Sequence, residues 1–295
     1  MRKILVTGAS GLVGTRFLEL YPNKKKIVTP NEKELDVTDL EKVKSYFANN
    51  DIEAVINFAA YTDVGAAEKQ RDDKNGICWK INVEGVRNLV SSIDKDKTRF
   101  IHISTDYVFP GSKEDPGPYK EDHEVGNDSN KLTWYGYTKA EGERAVMEEL
   151  GNKAAILRLI YPVRAKFSEK MDYLRKPLML FDEGKLYPMF KDQQVSFTFI
   201  DEIYSALSII LKNKSTGIFH SSSRNTTTPY DAISYLIEKA RNKKEVVRGN
   251  SIDEFLEKVD NPVRYPKFGG LQVEDTEKKL DMKFSTWKEI IDMLI

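Results

Sequence analysis

The stretch Thr7-Gly8-Ala9-Ser10-Gly11-Leu12-Val13-Gly14 carries the strongest signal of fold in this chain. It follows the apolar run Ile4-Leu5-Val6, which predicts a short buried strand, and it leads into a helix whose apolar residues share one face. A strand, a glycine turn and a helix in that order bring backbone N–H groups and a helix N-terminus to one point, which suits a phosphate. The spacing G-x-x-G-x-x-G directly after a first strand therefore predicts a dinucleotide-binding fold.

Each of the three glycines has a separate task in such a turn. Gly8 permits the tight turn, Gly11 lets the backbone approach a ligand, and Gly14 lets the helix lie close to the strand. A plain glycine turn before a surface helix is the alternative, and the position after the first strand disfavours it.

Apolar strands alternate with amphipathic helices along the first half of the chain. Strands are predicted at 26–29, 54–58, 100–103 and 154–160, and helices at about 40–47, 78–93 and 135–150. This order predicts right-handed crossovers and a parallel sheet covered on both faces. The predicted fold class is α/β, with a Rossmann-like doubly wound parallel sheet and a smaller C-terminal substrate-binding lobe.

The domain boundary is predicted where the regular alternation ends. We assign residues 1–162 to an NAD(P)-binding Rossmann domain and residues 163–295 mainly to the substrate-binding lobe. Segments at about 200–225 again show a helix followed by a strand, so we expect them to return to the Rossmann core.

Composition excludes several classes of partner. The 46 basic and 46 acidic side chains cancel, which gives no general reason to bind nucleic acid or an anionic membrane. No apolar run approaches the roughly 20 residues of a membrane helix, and the N-terminus leads straight into a strand, so no signal peptide is predicted.

The one cysteine, Cys78, fits a reducing cytoplasm. His102, His123 and His220 lack metal-ligand spacing, which favours structural roles and predicts no metal site.

Tyr135 and Lys139 lie four residues apart at the start of a predicted helix and therefore share one face. A nearby ammonium favours the phenolate and lowers the pKa of a tyrosine, so the pair can exchange a proton with an alcohol oxygen. Tyr137 lies two residues from Lys139, faces elsewhere and is the weaker candidate. An ordinary surface helix is the alternative interpretation of this spacing.

Ser104-Thr105-Asp106 follows the strand predicted at 100–103, at the edge of the sheet where ligands bind. A hydroxyl there can donate to a carbonyl oxygen as it becomes an alkoxide. A helix cap or turn is the alternative, since these residue types are common in both.

Together these stretches resemble the extended short-chain dehydrogenase/reductase superfamily, and within it the dTDP-4-dehydrorhamnose reductase family. The resemblance covers nearly the whole chain. It is carried by Thr7–Gly14, 35–39, 57–62, 103–109, 135–143, 192–194, 197–207 and 217–220. Its most specific block is Ser104-Thr105-Asp106-Tyr107-Val108-Phe109.

The resemblance implies a role for individual residues. Thr105 matches the catalytic hydroxyl, Tyr135 the general acid, and Lys139 the lysine that holds the nicotinamide ribose and tunes the tyrosine. The implied cofactor contacts are Gly8, Ser10, Gly11, Leu12, Val13, Asp36, Val37, Ala59, Ala60, Tyr61, Tyr135 and Lys139. The implied substrate contacts are Thr105, Asp106, Tyr107 and Tyr161.

The resemblance further implies an NAD(P)-dependent oxidoreductase that reduces a nucleotide-linked 4-keto-6-deoxy sugar. The predicted second strand ends in Thr29-Pro30-Asn31 without the acid typical of NAD sites, and Arg16 follows the glycine turn. These features favour NADP(H) and leave NAD(H) open. A monomer and a homodimer both remain open.

One segment departs from the family pattern. After Arg158 the family usually continues with Thr, a small residue and Trp, whereas this chain continues Leu159-Ile160-Tyr161. Two alternatives therefore stay open. One is a sugar-nucleotide epimerase or dehydratase of the same superfamily. The other is a non-catalytic dinucleotide-binding regulatory subunit resembling that of methionine adenosyltransferase.

Overall fold

The computed structural model of the chain describes residues 2–165, 167, 169–259 and 265–295. Two compact units are present, and each is assembled from separate stretches of sequence. The first unit comprises Met1–Phe109, Glu124–Arg158 and Tyr204–Phe219. The second comprises Pro110–His123, Leu159–Ile203 and His220–Ile295.

Helices and strands alternate along most of the chain. Up to residue 159 they are β1 (Lys3–Thr7), α1 (Leu12–Leu20), β2 (Ile27–Val28), α2 (Leu40–Asn49), β3 (Ile52–Asn57), α3 (Val64–Glu68), α4 (Ile77–Trp79), α5 (Gly85–Ser92), β4 (Arg99–Thr105), α6 (Trp134–Leu150) and β5 (Ala154–Leu159). Beyond it they are β6 (Pro162–Val163), α7 (Arg175–Asp182), β7 (Met189–Phe190), β8 (Thr198–Phe199), α8 (Ile200–Asn213), β9 (Gly217–Ser221), α9 (Pro229–Arg241), β10 (Gly249–Asn250), α10 (Ile252–Leu256), α11 (Glu274–Leu280) and α12 (Trp287–Leu294).

Among the described residues, six strands form one sheet in the order β2-β1-β3-β4-β5-β9. β1 pairs in parallel with β2 and β3, and β3 pairs in parallel with β4. Strands β1, β3, β4 and β5 are almost entirely buried, as expected for a parallel sheet covered on both faces. The predicted α/β class with a parallel Rossmann-like sheet is confirmed. The strand order reverses at β1 and β3, and ligands bind at such a switch point.

One hydrophobic core beside this sheet holds the helices in place. This core includes Leu5, Leu35, Val43, Val55, Val86, Leu89, Val90, Phe100, Val146 and Ile156. Most of these residues come from β1, α2, β3, α5, β4, α6 and β5, so their burial fixes the helices against the strands.

The start of α2 is capped by Asp39, which accepts a hydrogen bond from Lys42 N at 3.1 Å.

The helix predicted at about 78–93 is interrupted by a π-helical segment, Lys80–Glu84, between α4 and α5. Asn82 lies in this segment and is fully buried. A single wide turn inside a helix often occurs at a functional site. The apolar spacing predicts the helix and gives no sign of the wide turn.

The second unit has its own core. Two short parallel pairs, β6 with β8 and β7 with β10, accompany the helices α9 and α12. The core includes Val163, Leu174, Phe197, Ile233, Leu236, Trp287, Ile290 and Ile291. Thr286 and Glu289 form a reciprocal capping box at the start of α12. Within the described residues, no helix combines the length and the apolar composition that crossing a bilayer requires.

Candidate active site

The glycine turn forms a backbone cradle at the carboxyl end of β1. Gly8 has a φ of +62°, and a Cβ there would lie 2.6 Å from Ala59 N. A Cβ on Gly14 would lie 2.6 Å from the Gly8 carbonyl oxygen. Gly11 occupies the N-cap of α1 without a side-chain cap, so this helix end is presented as bare backbone. Such a helix N-terminus can hold a phosphate, and the cradle therefore fits the pyrophosphate of a dinucleotide.

The predicted cofactor residues that follow β2 also lie in the first unit. Asp36 Oδ1 accepts hydrogen bonds from the backbone N and the hydroxyl of Thr38, at 2.9 and 2.7 Å. The Val37 carbonyl accepts a hydrogen bond from Asn88 Nδ2 at 2.9 Å. Side-chain hydrogen bonds therefore fix the backbone of this short segment.

The loop Ala59–Tyr61 follows β3, next to the glycine turn. Asn82 holds it, because its Oδ1 accepts from Tyr61 N at 2.8 Å and its Nδ2 donates to Tyr61 O at 3.2 Å. Asn82 Nδ2 also donates to Thr138 Oγ1 on α6, at 3.0 Å. Sequence reasoning missed Asn82. A polar residue within an apolar helical pattern was the available signal, since buried amides need partners.

Two hydroxyls meet at the end of β4. The side chain of Thr105 lies close enough to the phenol of Tyr135 to influence its pKa. Thr105 Oγ1 also donates to Asp106 Oδ1 at 3.1 Å and accepts from Tyr107 N at 3.3 Å. The ring of Tyr107 packs edge-on against that of Tyr135, with centroids 5.8 Å apart. The structure thus brings together four of the residues that the sequence singled out.

Gly136 explains how Tyr135 reaches Thr105. A Cβ on Gly136 would lie 2.0 Å from the Tyr107 carbonyl oxygen, so only glycine lets the first turn of α6 approach so closely. Thr133 caps the helix by accepting from Gly136 N at 2.9 Å. Sequence reasoning did not assign this glycine a role.

The expected effect of Lys139 on Tyr135 is wrong for this structure. Desolvation raises the pKa of Tyr135 well above its ordinary value, and the nearby side chain of Thr105 only partly opposes the shift. The amine of Lys139 donates instead to the Ile103 carbonyl oxygen at 2.7 Å. Tyr135 is therefore a protonated phenol at neutral pH, which suits a proton donor.

Burial shifts two further groups toward neutral pH. Desolvation raises the pKa of Asp106 to about 7, although hydrogen bonds from Thr105 and the backbone oppose it. Desolvation lowers the pKa of Lys139 to about 8, and the charge of Glu143 opposes that shift. Titratable groups displaced in this way cluster at functional sites.

Tyr161, the fourth predicted substrate residue, belongs to the second unit. Its φ is +37°, which is uncommon for a bulky residue, and its ring lies 4.2 Å from that of Tyr173 between centroids. A substrate role for Tyr161 stays a prediction.

Comparison with known proteins gives a consistent result. A model of the family described as "RmlD substrate binding domain" matches residues 1–295. The chain is similar to "Probable low-salt glycan biosynthesis reductase Agl14" of Haloferax volcanii, with 27% identity over 288 residues, covering 93% of this chain and 91% of the relative. It is similar to dTDP-4-dehydrorhamnose reductase of Aggregatibacter actinomycetemcomitans, with 29% identity over 249 residues, covering 81% and 80%.

A solved structure agrees with these relatives. The crystal structure of dTDP-4-dehydrorhamnose reductase from Bacillus anthracis in complex with NADP matches at a TM-score of 0.82 and 25% identity, covering 100% of this chain and 99% of that one. The resemblance that the sequence motifs indicate is confirmed.

Proposed function

Because the chain belongs to the RmlD substrate binding domain family, we propose that it is an NADP(H)-dependent reductase of a nucleotide-linked 4-keto-6-deoxy sugar, like the dTDP-4-dehydrorhamnose reductases to which it is similar. The observation that carries the proposal is the juxtaposition of the Thr105 and Tyr135 side chains at the end of β4, in the same unit as the glycine cradle. No contact of Thr105 or Tyr135 requires the chemistry of a sugar dehydratase or epimerase.

The first unit provides the groups that a ketone reduction needs. When bound, the reduced nicotinamide supplies a hydride to the C4 carbonyl carbon of the sugar. Tyr135 gives its phenolic proton to the oxygen that becomes a hydroxyl, and Thr105 holds that oxygen in place. Lys139 lies on the face of α6 shared with Tyr135, and we assign its amine to the nicotinamide ribose.

The preference for NADP(H) rests on the residues that follow β2. Thr29-Pro30-Asn31 contains no carboxylate that would hold a ribose 2′-hydroxyl or repel a 2′-phosphate. Arg16 follows the glycine turn closely in the sequence and supplies a positive charge there. Its guanidinium lies 2.9 Å from Glu19 in a partly exposed ion pair. Fluorescence titration with NADPH and NADH tests the choice, and tighter binding of NADH would overturn it.

The substitution Tyr135→Phe tests the chemistry. It removes the proton donor and keeps the ring, so kcat for NADPH-dependent reduction of dTDP-4-dehydrorhamnose is expected to fall by about 10²–10⁴-fold. Tyr137→Phe is the matched control, since Tyr137 lies on the same helix and stacks on Trp134 instead. Unchanged turnover in Tyr135→Phe contradicts the mechanism. Tight NADPH binding by the wild-type protein without any turnover favours the regulatory-subunit alternative.

We also propose a cytoplasmic location and leave the choice between monomer and homodimer to solution scattering. The location is supported by the single cysteine, Cys78, which is a free and buried thiol.

A further inference from the structure

A row of buried polar side chains crosses the sheet of the first unit. Thr7 on β1 is in register with Asn57 on β3, and Asn57 is in register with His102 on β4. Thr7 Oγ1 donates to Asn57 Oδ1 at 2.5 Å, and Asn57 Nδ2 lies 3.2 Å from His102 Nδ1. His102 Nε2 in turn lies 3.3 Å from Lys139 Nζ. Each of the four residues is less than 5% exposed, so the row is closed to solvent.

We propose that His102 is a positioning residue for Lys139, and that the row Thr7–Asn57–His102 links the lysine amine to the end of β1, where the glycine turn begins. The proposal rests on the function proposed above only for the role of Lys139 in catalysis. The sequence favoured a purely structural role for His102, because the three histidines lack metal-ligand spacing. Its partners Asn57 and Lys139 come from two other elements, which no local pattern connects.

His102 is a neutral imidazole in this environment. Burial lowers its pKa well below the ordinary value, and the positive charge of Lys139 adds to the effect. A neutral imidazole has one nitrogen that donates and one that accepts. Which nitrogen carries the proton must therefore match the groups at both ends of the ring.

Two arrangements connect Lys139, His102, Asn57 and Thr7 by hydrogen bonds. When Lys139 is neutral, His102 Nε2–H donates to its lone pair, Nδ1 accepts from Asn57 Nδ2, and Asn57 Oδ1 accepts from Thr7, which is the side-chain orientation that the structure shows. When Lys139 is charged, its ammonium donates to Nε2, and the proton resides on Nδ1. Asn57 must then turn its Oδ1 toward His102 and its Nδ2 toward Thr7.

The charge of Lys139 is thus coupled to the tautomer of His102 and to the rotamer of Asn57. The other titratable groups that act on Lys139 are Glu143, which is on its own helix, and Cys78, in α4. Neither of them connects the lysine to β1. The row Thr7–Asn57–His102 makes this connection, because Thr7 is the last residue of β1. Ala59 N also donates to Thr7 Oγ1, at 3.3 Å, beside the glycine turn.

The wild-type protein permits a direct test by ¹⁵N NMR of the His102 ring over the pH range of about 6 to 10, which spans the shifted lysine. We expect the ring to stay neutral throughout and its proton to move from Nδ1 to Nε2 as Lys139 loses its charge. The same titration in Lys139→Met should show one fixed tautomer. A tautomer in the wild type that does not respond to pH overturns the proposal.

Two substitutions connect the row to catalysis. His102→Leu removes the acceptor and should raise KM for NADPH by about tenfold or more, the effect of losing one hydrogen bond to a charged group. His102→Gln keeps an acceptor and should restore most of the affinity for NADPH. His123→Gln is the control, since His123 is partly exposed and pairs with Asp115. A His102→Gln variant as impaired as His102→Leu contradicts the proposal.

The two proposals fail in different ways. A responsive tautomer in a protein without reductase activity supports the row and contradicts the proposed function. Reductase activity with a fixed tautomer supports the proposed function and contradicts the role of the row. If His102→Leu does not fold, the NMR titration of the wild-type protein still decides.

Discussion

Asp106 shows how a single residue at this site opposes folding. Its carboxyl group is buried beside Thr105 Oγ1, and desolvation raises its pKa from 3.8 to about 7. Between these two values the unfolded chain releases the proton while the folded chain keeps it, so the stability of the fold decreases as the pH rises. Below the ordinary pKa both states hold the proton, and the full stability of the fold is present. This stability is lost as the pH rises through the folded-state pKa of about 7. A carboxyl group at this place therefore has a functional rather than a stabilising reason.

The substitution Asp106→Asn tests this account. The amide cannot ionise, so the variant should gain stability over the wild type at about pH 8, by at most about 4 kcal/mol, and the gain should vanish toward about pH 4. Urea unfolding at a series of pH values measures the difference. Asp122→Asn is the control, because Asp122 is exposed. A difference that is constant with pH contradicts the assignment.

At the scale of elements, the connection from β1 to α1 separates two reasons for having glycine. Around Gly8 and Gly14 the protein itself leaves no room for a side chain, since a Cβ would lie 2.6 Å from backbone atoms at either place. Gly11 is different: its Cβ would meet only the Gly8 carbonyl oxygen, at 3.3 Å. The fold therefore requires two of the glycines, and the third points to a ligand that approaches the backbone.

Paired alanine substitutions distinguish these roles. Gly14→Ala should lower the free energy of unfolding by about 1–3 kcal/mol, because the added methyl group overlaps Gly8 and Ala9. Gly11→Ala should change it by less than about 0.5 kcal/mol. The same variant should weaken NADPH binding by about tenfold or more, because the added methyl group would keep the pyrophosphate away from the backbone N–H groups, at a cost of about one charge-assisted hydrogen bond. Denaturant unfolding and NADPH titration measure the two effects, and full NADPH affinity in Gly11→Ala would rule out the cradle.

At the scale of the whole molecule, residues far apart in sequence hold the second unit together. The sequence around Glu121 and Asp122 indicates a soluble acidic loop, but Glu121 is only 3% exposed. It accepts hydrogen bonds from Thr276 N at 2.9 Å and Thr276 Oγ1 at 2.7 Å. Thr276 Oγ1 accepts in turn from His220 N at 2.8 Å. One carboxylate thereby joins three separate segments of this unit.

The substitution Glu121→Ala should be strongly destabilising. It leaves the buried N–H and O–H of Thr276 without their acceptor, at a cost of about 2–4 kcal/mol in the free energy of unfolding. The neighbouring substitution Asp122→Ala removes an exposed carboxylate and should leave the unfolding midpoint unchanged. Equal midpoints for the two variants would show that the buried contact contributes nothing.

The parallel sheet, the glycine turn after β1, and the resemblance that points to Thr105 and Tyr135 can all be predicted from the amino-acid sequence without coordinates. These features are local or periodic: burial of a strand on both faces leaves an apolar run, and a phosphate-binding turn leaves glycines at fixed spacing. Motif and periodicity are therefore sufficient for the fold class and for the place where the chemistry belongs.

Which groups touch one another became visible only in the folded chain. Folding places Lys139 against Ile103 and His102, raises the pKa of Tyr135 by desolvation, and brings Asn82 to the loop at Tyr61. Such contacts join residues that are 21 to 37 positions apart. Burial and hydrogen-bond partners are properties of the packed chain, so no window of sequence contains the desolvation that sets these charges.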